Sequence, residues 1–506
     1  MAELLLGLDV GTTRVCALVL DPARGVRARA HRPLALRAPA PGRVEQDADA
    51  MVERAVESLR EALAGARAEA RDVAALGLAA QRATAIAWDA ASGRPLAPAI
   101  GWQDQRTAAR VAALRREGVP ATTLASATRF ERWLRAEGGA DEVSAARAVR
   151  AAGEAGRLRL GTPDAWLGFR LGGARRSVTD PGHASCTGLY ELREGDFDAR
   201  ALALYGIPRE ALPAVVATCE VVDRLDPALL GAAVPLAARA GDQQAAAFAA
   251  GTHARGEAKL TLGTSAMLDV HAGEAGEGAL PSAPGAHALA LWRLAPGARD
   301  ALCLEGSVLT AGAALDWLAR LGVAPSAEAL DAAAAPSSGG AWFVPALQGL
   351  GTPAMALGAR GVLGGLSLAT GRGEIARAAL EGVAQRCADL CEALGVGAGA
   401  LGVDGGLARS GPLLQLVADY TGLVVERAAE VETTALGAAL LAGLAAGVVP
   451  DVAACRALRA APARVPPRLA EPDRRAARAA WRAVLAHCAS APTSAFDAPG
   501  RGTSPA

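Results

Sequence analysis

The chain reads as an α/β protein of two lobes with a duplicated core, and three observations carry that reading. At 506 residues it exceeds what one compact core holds, so two domains of roughly 240 residues are expected. An apolar run, a Gly-Thr turn and a second apolar run open the chain as LLLGLDVGTTRVCALVL (residues 4–20). The theme returns near the middle as KLTLGTSAMLD (residues 259–269), the pattern of one supersecondary unit repeated in each half.

The elements follow in chain order. Residues 4–8 and 15–20 flank Asp9-Val10-Gly11-Thr12-Thr13 and predict a hairpin. Residues 49–64 put Met51, Ala55, Leu59 and Leu63 on one helical stripe. Val73–Ala79 and Ala83–Trp88 predict strands, with a turn at Ala91–Gly93. Residues 107–160 are helix-rich and irregular, as an insertion carrying ligand contacts would be. A further glycine-rich turn, Val403-Asp404-Gly405-Gly406, follows a strand and precedes a helix starting near Pro412. Ala435–Val449 is too short, and too rich in Ala and Gly, to span a membrane and predicts a buried helix. The last ~20 residues, rich in Pro, Ser and Gly, predict a disordered tail.

Composition narrows the function classes. Lys plus Arg and Asp plus Glu are both 52, so no global field points to nucleic acid or an anionic membrane as partner. Lys259 is the only lysine; the arginine excess is genomic bias and carries no functional weight. The eight cysteines form no CxxC and no zinc-spaced Cys/His cluster, which suits a reducing cytoplasm. Cys387 and Cys391 are spaced to share a helix face, and core packing is favoured there over metal binding. The opening residues lack a basic region and break at Asp9, unlike a signal peptide.

Several turns have residues suited to phosphate chemistry. At Gly11-Thr12-Thr13 a glycine admits backbone N–H groups to an anion and two hydroxyls add donors. The Asp9 carboxylate just before them can hold Mg²⁺ or its waters. An ordinary Asp-Gly hairpin turn reads the same way. Gly263-Thr264-Ser265 offers a matching cradle, and the bare glycines at 405–406 would let a base or ribose lie against backbone. Asp242, in Ala240-Gly241-Asp242-Gln243-Gln244 at the junction of the halves, is either a helix cap or a catalytic carboxylate facing a cleft.

Taken together these segments resemble the FGGY carbohydrate kinases, most closely the glycerol kinase branch. The likeness runs from about residue 4 to 449. It includes GLDVGTT, AAQRATAIAWD, AIGWQDQRT, GTPDAWLGFRLGG, GIPREALP, AGDQQAA, LTLGTS, EGSVLTAGAALDWL, GVLGGLSLATGRGEIARAALE, VDGGLARSGPLLQ and TTALGAALLAG. It implies two actin-like (ribonuclease H-like) lobes with a duplicated core and a cleft between them. The lobes would span residues 1–238 and 239–465, followed by a C-terminal helix and tail over 466–506. It also implies ATP-dependent phosphorylation of a polyol or sugar with Mg²⁺, in the cytoplasm, and it is compatible with a homodimer or homotetramer.

By the same resemblance Asp242 is the base that takes the hydroxyl proton, and Asp9 is the Mg²⁺-associated carboxylate. Thr12, Thr13, Gly263 and Thr264 match phosphate-contacting turns, and Gly312, Gly406 and Ser410 match nucleotide contacts. Arg82, Trp102, Asp242 and Gln243 match the substrate pocket. The departures concern that pocket. Glycerol kinases have Arg-Glu where this chain has Arg82-Ala83. Their pocket tyrosine is Leu124 here, in a segment with an extra residue before Trp133, and an aromatic is Met267. An expected arginine is Cys16, with Arg14 near enough to replace it.

Three rivals remain. A xylulokinase-type ketose kinase would show Met-His-Gly at Arg82-Ala83-Thr84. A weakly active sugar- or nucleotide-sensing protein would not need both Asp9 and Asp242. An actin-like assembly protein would leave GDQQ unexplained.

Overall fold

The computed structural model describes residues 3–137 and 139–490. Its first sheet runs, in spatial order, Cys219–Arg224, Pro235–Gly241, Val73–Ala80, Leu4–Val10, Arg14–Asp21, Gly25–Pro33. The second runs His287–Trp292, Ala301–Val308, Ala266–Glu274, Ala258–Leu262, Ala400–Asp404, Val424–Arg427, Ala463–Val465.

The two sheets share one plan. In each, a first strand pairs antiparallel with a second and the second antiparallel with a third. A fourth then adds parallel to the first on its free edge, and a fifth adds parallel to the fourth. Each sheet then gains one antiparallel strand beyond the fifth. The duplication expected from two Gly-Thr hairpins is thus present across whole sheets.

The helices follow the apolar stripes. Ala48–Ala66, capped by Asp47, buries Met51, Ala55, Leu59 and Ala62 on the outer face of the first sheet. Arg372–Leu394 does the same for the second sheet and buries both Cys387 and Cys391. The helix-rich stretch resolves into Ala108–Arg116, Ala127–Arg135 and Ala140–Glu154, packed around their own core of Phe130, Trp133 and Leu160.

A further core joins the halves. Helix Asp242–Ala250 and helix Thr433–Ala445 pack together and against the inner face of the first sheet. Only glycine permits that contact: a Cβ on Gly7 would lie 1.8 Å from the Ala435 carbonyl oxygen, and one on Gly77 1.9 Å from that of Ala438.

Two expectations change, and a third lies mostly outside the described residues. The strand drawn over Ala83–Trp88 starts later, at Ile86, because Ala83 sits in the left-handed region with φ 59°. The division after residue 238 falls inside a strand that stays in the first sheet through Gly241. The predicted tail lies mostly outside the described residues, which end with helix Glu471–Ser490. Among the described residues no helix is long and apolar enough to cross a membrane.

Candidate active site

In open α/β sheets ligands gather beyond the carboxyl ends of parallel strands, where following loops converge. Asp9, Arg82 and Asp242 stand at or just past three such ends in the first sheet. Gly263 and Asp404-Gly405 stand at two in the second.

Asp242 opens helix Asp242–Ala250 directly after Gly241. A Cβ on Gly241 would meet Gln244 Oε1 at 2.3 Å and Arg82 Cδ at 2.7 Å, so glycine there lets Arg82 pack against the turn. Asp242 Oδ1 accepts from the Gln243 backbone N–H at 2.8 Å and lies 3.4 Å from Arg82 Nε. Its carboxylate is partly exposed.

Asp9 is different. Its Oδ1 is buried without a hydrogen-bond partner. Burial, then the charges of Asp242 and Glu432, push its carboxyl well above the usual range, against a smaller pull from Arg14. A carboxylate raised by burial and by like charge is one that a bound cation would restore to its ionised form.

Cys16 also titrates upward, through burial and the charges of Glu432 and Asp9, so it stays a neutral thiol. It cannot supply an arginine's charge. Arg14, two residues earlier on the same strand face, has Nη2 2.8 Å from Glu432 Oε2.

The two Gly-Thr turns are tied into the frame. Thr12 Oγ1 accepts from Trp102 Nε1 at 3.0 Å and its carbonyl accepts from Gln46 Nε2 at 2.8 Å, while Thr13 is exposed. The Gly263 carbonyl accepts from Gly312 N at 3.0 Å, and Thr264 O from Ala311 N and Ala313 N. Gly312 has no room for a side chain, since a Cβ would lie 2.7 Å from the Gly263 oxygen. Gly406 faces open space, and a groove lined by Gly405, Gly406, Arg409, Arg14 and Glu432 joins this turn to the first lobe. Ser410 is turned away from that groove. It caps helix Gly411–Thr421 by accepting from Leu413 N at 3.1 Å and donates to Asp331 Oδ1 at 2.6 Å.

The sulfurs of Cys186 and Met267 each lie 3.7 Å from the Arg82 guanidinium. Trp102 and Leu124 are large apolar side chains left 38% and 45% exposed. Gln243 Oε1 accepts from Lys259 Nζ at 2.9 Å and Thr261 Oγ1 at 3.2 Å, leaving its amide nitrogen for another partner.

Three residues escaped the sequence reading. Glu305 Oε2 lies 2.6 Å from Arg82 Nη2, an ion pair between the two lobes. Lys259, 1% exposed, lies 3.6 Å from Asp404 Oδ1 and also holds Gln243. Arg129, fully buried, donates to the carbonyls of Ala83 at 2.7 Å, Trp102 at 2.8 Å and Thr123. The lone lysine was a visible signal for one of them.

Comparison with known proteins completes the picture. Residues 4–249 match the N-terminal domain of the FGGY family of carbohydrate kinases, and residues 258–446 match its C-terminal domain. The chain belongs to this family. It is therefore a phosphotransferase with an alcohol group as acceptor, catalysing ATP-dependent phosphorylation of a polyol or sugar.

The chain is 41% identical over 500 residues to a glycerol kinase of Aromatoleum aromaticum, covering 95% of this chain and 98% of that one. A glycerol kinase of Gloeobacter violaceus is 40% identical over 462 residues, 90% of each. In structure it resembles Plasmodium falciparum glycerol kinase with ADP, with TM-score 0.87, 23% identity and coverage of 96% and 98%. At that identity the likeness bears on fold alone. The xylulose kinase of Rhodospirillum rubrum gives TM-score 0.81 at 25% identity, with the same coverage.

Proposed function

We propose that this FGGY kinase is glycerol kinase-like in mechanism, with Asp242 as general base, and acts on a polyol or sugar longer than glycerol. The observation that supports it most is the placement of Asp242: a partly exposed carboxylate just past the end of a parallel strand, with the partly buried Arg82 Nε 3.4 Å away. Asp242 would accept the proton of the attacking hydroxyl. Arg82 and Trp102 would hold the polyol, with the Gln243 amide nitrogen as a further donor.

The turns at Gly11–Thr13 and Gly263–Thr264 would cradle the ATP phosphates from opposite lobes, with Gly406 against the nucleoside. The donor set would suit Mg²⁺: a hard, orphaned carboxylate oxygen on Asp9, under the influence of the Asp242 and Glu432 charges, is the kind of group a hard cation takes. Bound there, Mg²⁺ would supply neutralisation of phosphate charge. Phosphoryl transfer otherwise asks for alignment and exclusion of water, which two closing lobes provide.

Asp242→Asn keeps shape but cannot take a proton. We expect turnover to fall roughly 10²–10⁴-fold with ATP affinity nearly unchanged, read by ADP release and by nucleotide titration. Retention of more than about a tenth of wild-type turnover would remove Asp242 from the base role.

A further inference from the structure

Glu305 and Asp269 face each other across neighbouring antiparallel strands, and Lys259 faces Asp269 from the strand on its other side. All three are buried: Asp269 is 2% exposed, Glu305 8% and Lys259 1%. Two acids side by side in a site closed to water cannot both ionise cheaply. Arg82 reaches Glu305 from the other lobe at 2.6 Å, and its Nε lies 3.4 Å from Asp242. Asp269 Oδ2 has no hydrogen-bond partner among the described residues.

We propose that Asp269 is a positioning residue: as a neutral acid beside Glu305 it keeps a single negative charge under Arg82, so that the guanidinium stays poised between Glu305 and the substrate. This rests on the reading of Arg82 as a substrate contact. Loss of the Asp269 proton would place a second charge in the strip and draw Arg82 back toward the second lobe. Substrate binding would then weaken while the base itself stayed in place.

The surroundings agree. Burial first, then Glu305, push the Asp269 carboxyl up to about 8, against opposing pulls from Lys259 and Arg82. The other groups that sense this strip are Cys303 and Cys186. Burial raises both thiols, Cys186 to about 12, so neither titrates in the same range. Burial works against the Arg82 charge, but the carboxylates of Glu305 and Asp242 outweigh it and hold the guanidinium above its usual range.

Two readouts test the proposal. With a good substrate, wild-type kcat/KM should drop about tenfold from pH 7 to pH 9, mainly through KM, as one proton leaves a group near 8. Asp269→Asn, which keeps a neutral donor beside Glu305, should show wild-type KM at pH 7 and no such limb. Glu305→Gln should raise KM at every pH by removing the anchor of Arg82.

The second readout needs no activity. Between about pH 4 and 8 the unfolded chain holds Asp269 ionised and the folded chain holds it protonated. Stability must therefore decline as pH rises across that window and level off above it. Thermal melts of wild type should slope downward there more steeply than those of Asp269→Asn. An alkaline limb that persists in Asp269→Asn, or matching melt slopes, would overturn the proposal while leaving the kinase reading intact. Absence of substrate phosphorylation by wild type would instead count against that reading.

Discussion

Arg129 shows how a single side chain shapes the pocket. Its carbonyl acceptors belong to Ala83, Trp102, Thr123 and Ala125, and among the described residues it has no carboxylate partner. Burial lowers it to about 10, yet it remains charged at neutral pH and serves as a donor hub. Arg129→Leu would orphan these buried carbonyls, and we expect a loss of about 3 kcal/mol or more in urea unfolding, together with a raised KM.

The substrate departures act at the same scale. Ala83 offers no carboxylate to a substrate hydroxyl, and its backbone is pinned by Arg129 and by Ser126 Oγ at 3.0 Å. A lost charged hydrogen bond costs roughly 1.5–3 kcal/mol, or about 10- to 150-fold in kcat/KM. Four- to six-carbon polyols or ketoses should therefore outperform glycerol, and Ala83→Glu should narrow the gap. Glycerol emerging as the best substrate of the wild type would refute this reading of Ala83, Leu124 and Met267.

Asp9 and Asp242 stood out as candidates because each sits in a short turn whose residue types suit phosphate or proton chemistry, whereas Arg82 entered through the family resemblance alone. Glu305 and Arg129 were not, because Glu305 pairs with Arg82 from the other half of the chain and Arg129 reaches back to Ala83, 46 positions away. The left-handed turn at Ala83 was hidden as well, since Arg-Ala-Thr-Ala-Ile reads as strand throughout.

At the scale of elements, helix Thr433–Ala445 is the piece on which the site geometry turns. The sequence showed it to be buried from its Ala and Gly content, but not what it packs on. Its backbone lies directly on Gly7 and Gly77, and a Cβ on its own Gly437 would lie 1.8 Å from the Ala245 carbonyl oxygen. The clash is with backbone rather than a flexible side chain, so Gly77→Ala should cost at least the upper end of the usual 1–3 kcal/mol for overpacking. Calorimetry should show a clearly lowered Tm. A Tm within a degree of wild type would mean that the helix can lift without loss. The same substitution should disturb Asp242, since helix Asp242–Ala250 rests on helix Thr433–Ala445.

For the whole molecule, the ion pairs between lobes define what must move. Arg14–Glu432, Arg29–Glu430 and Arg82–Glu305 span the two halves around the cleft. Binding of a nonhydrolysable ATP analogue with Mg²⁺ and a good substrate should pull the lobes together. Small-angle scattering should then record a smaller radius of gyration, and an unchanged radius at saturation would speak against a hinge. The duplication itself was only half visible beforehand: two short hairpins advertised it. The shared order of five strands depends on crossovers of very different length in the two halves, which no local pattern encodes.

The core between the lobes also has a consequence for synthesis. Leu5 and Leu18 on the inner face of the first sheet are covered by residues such as Ala435 and Leu436. That cover emerges from the ribosome roughly 350 residues after the central strand at Val73–Ala80, or about 20–70 s later at ordinary elongation rates. Until then a sheet assembled early must hold one greasy face bare, with Gly7 and Gly77 giving no bulk to shield it. The nascent chain is thus exposed to sticking for most of its own translation, and a helix near the far end of the message decides when that exposure stops.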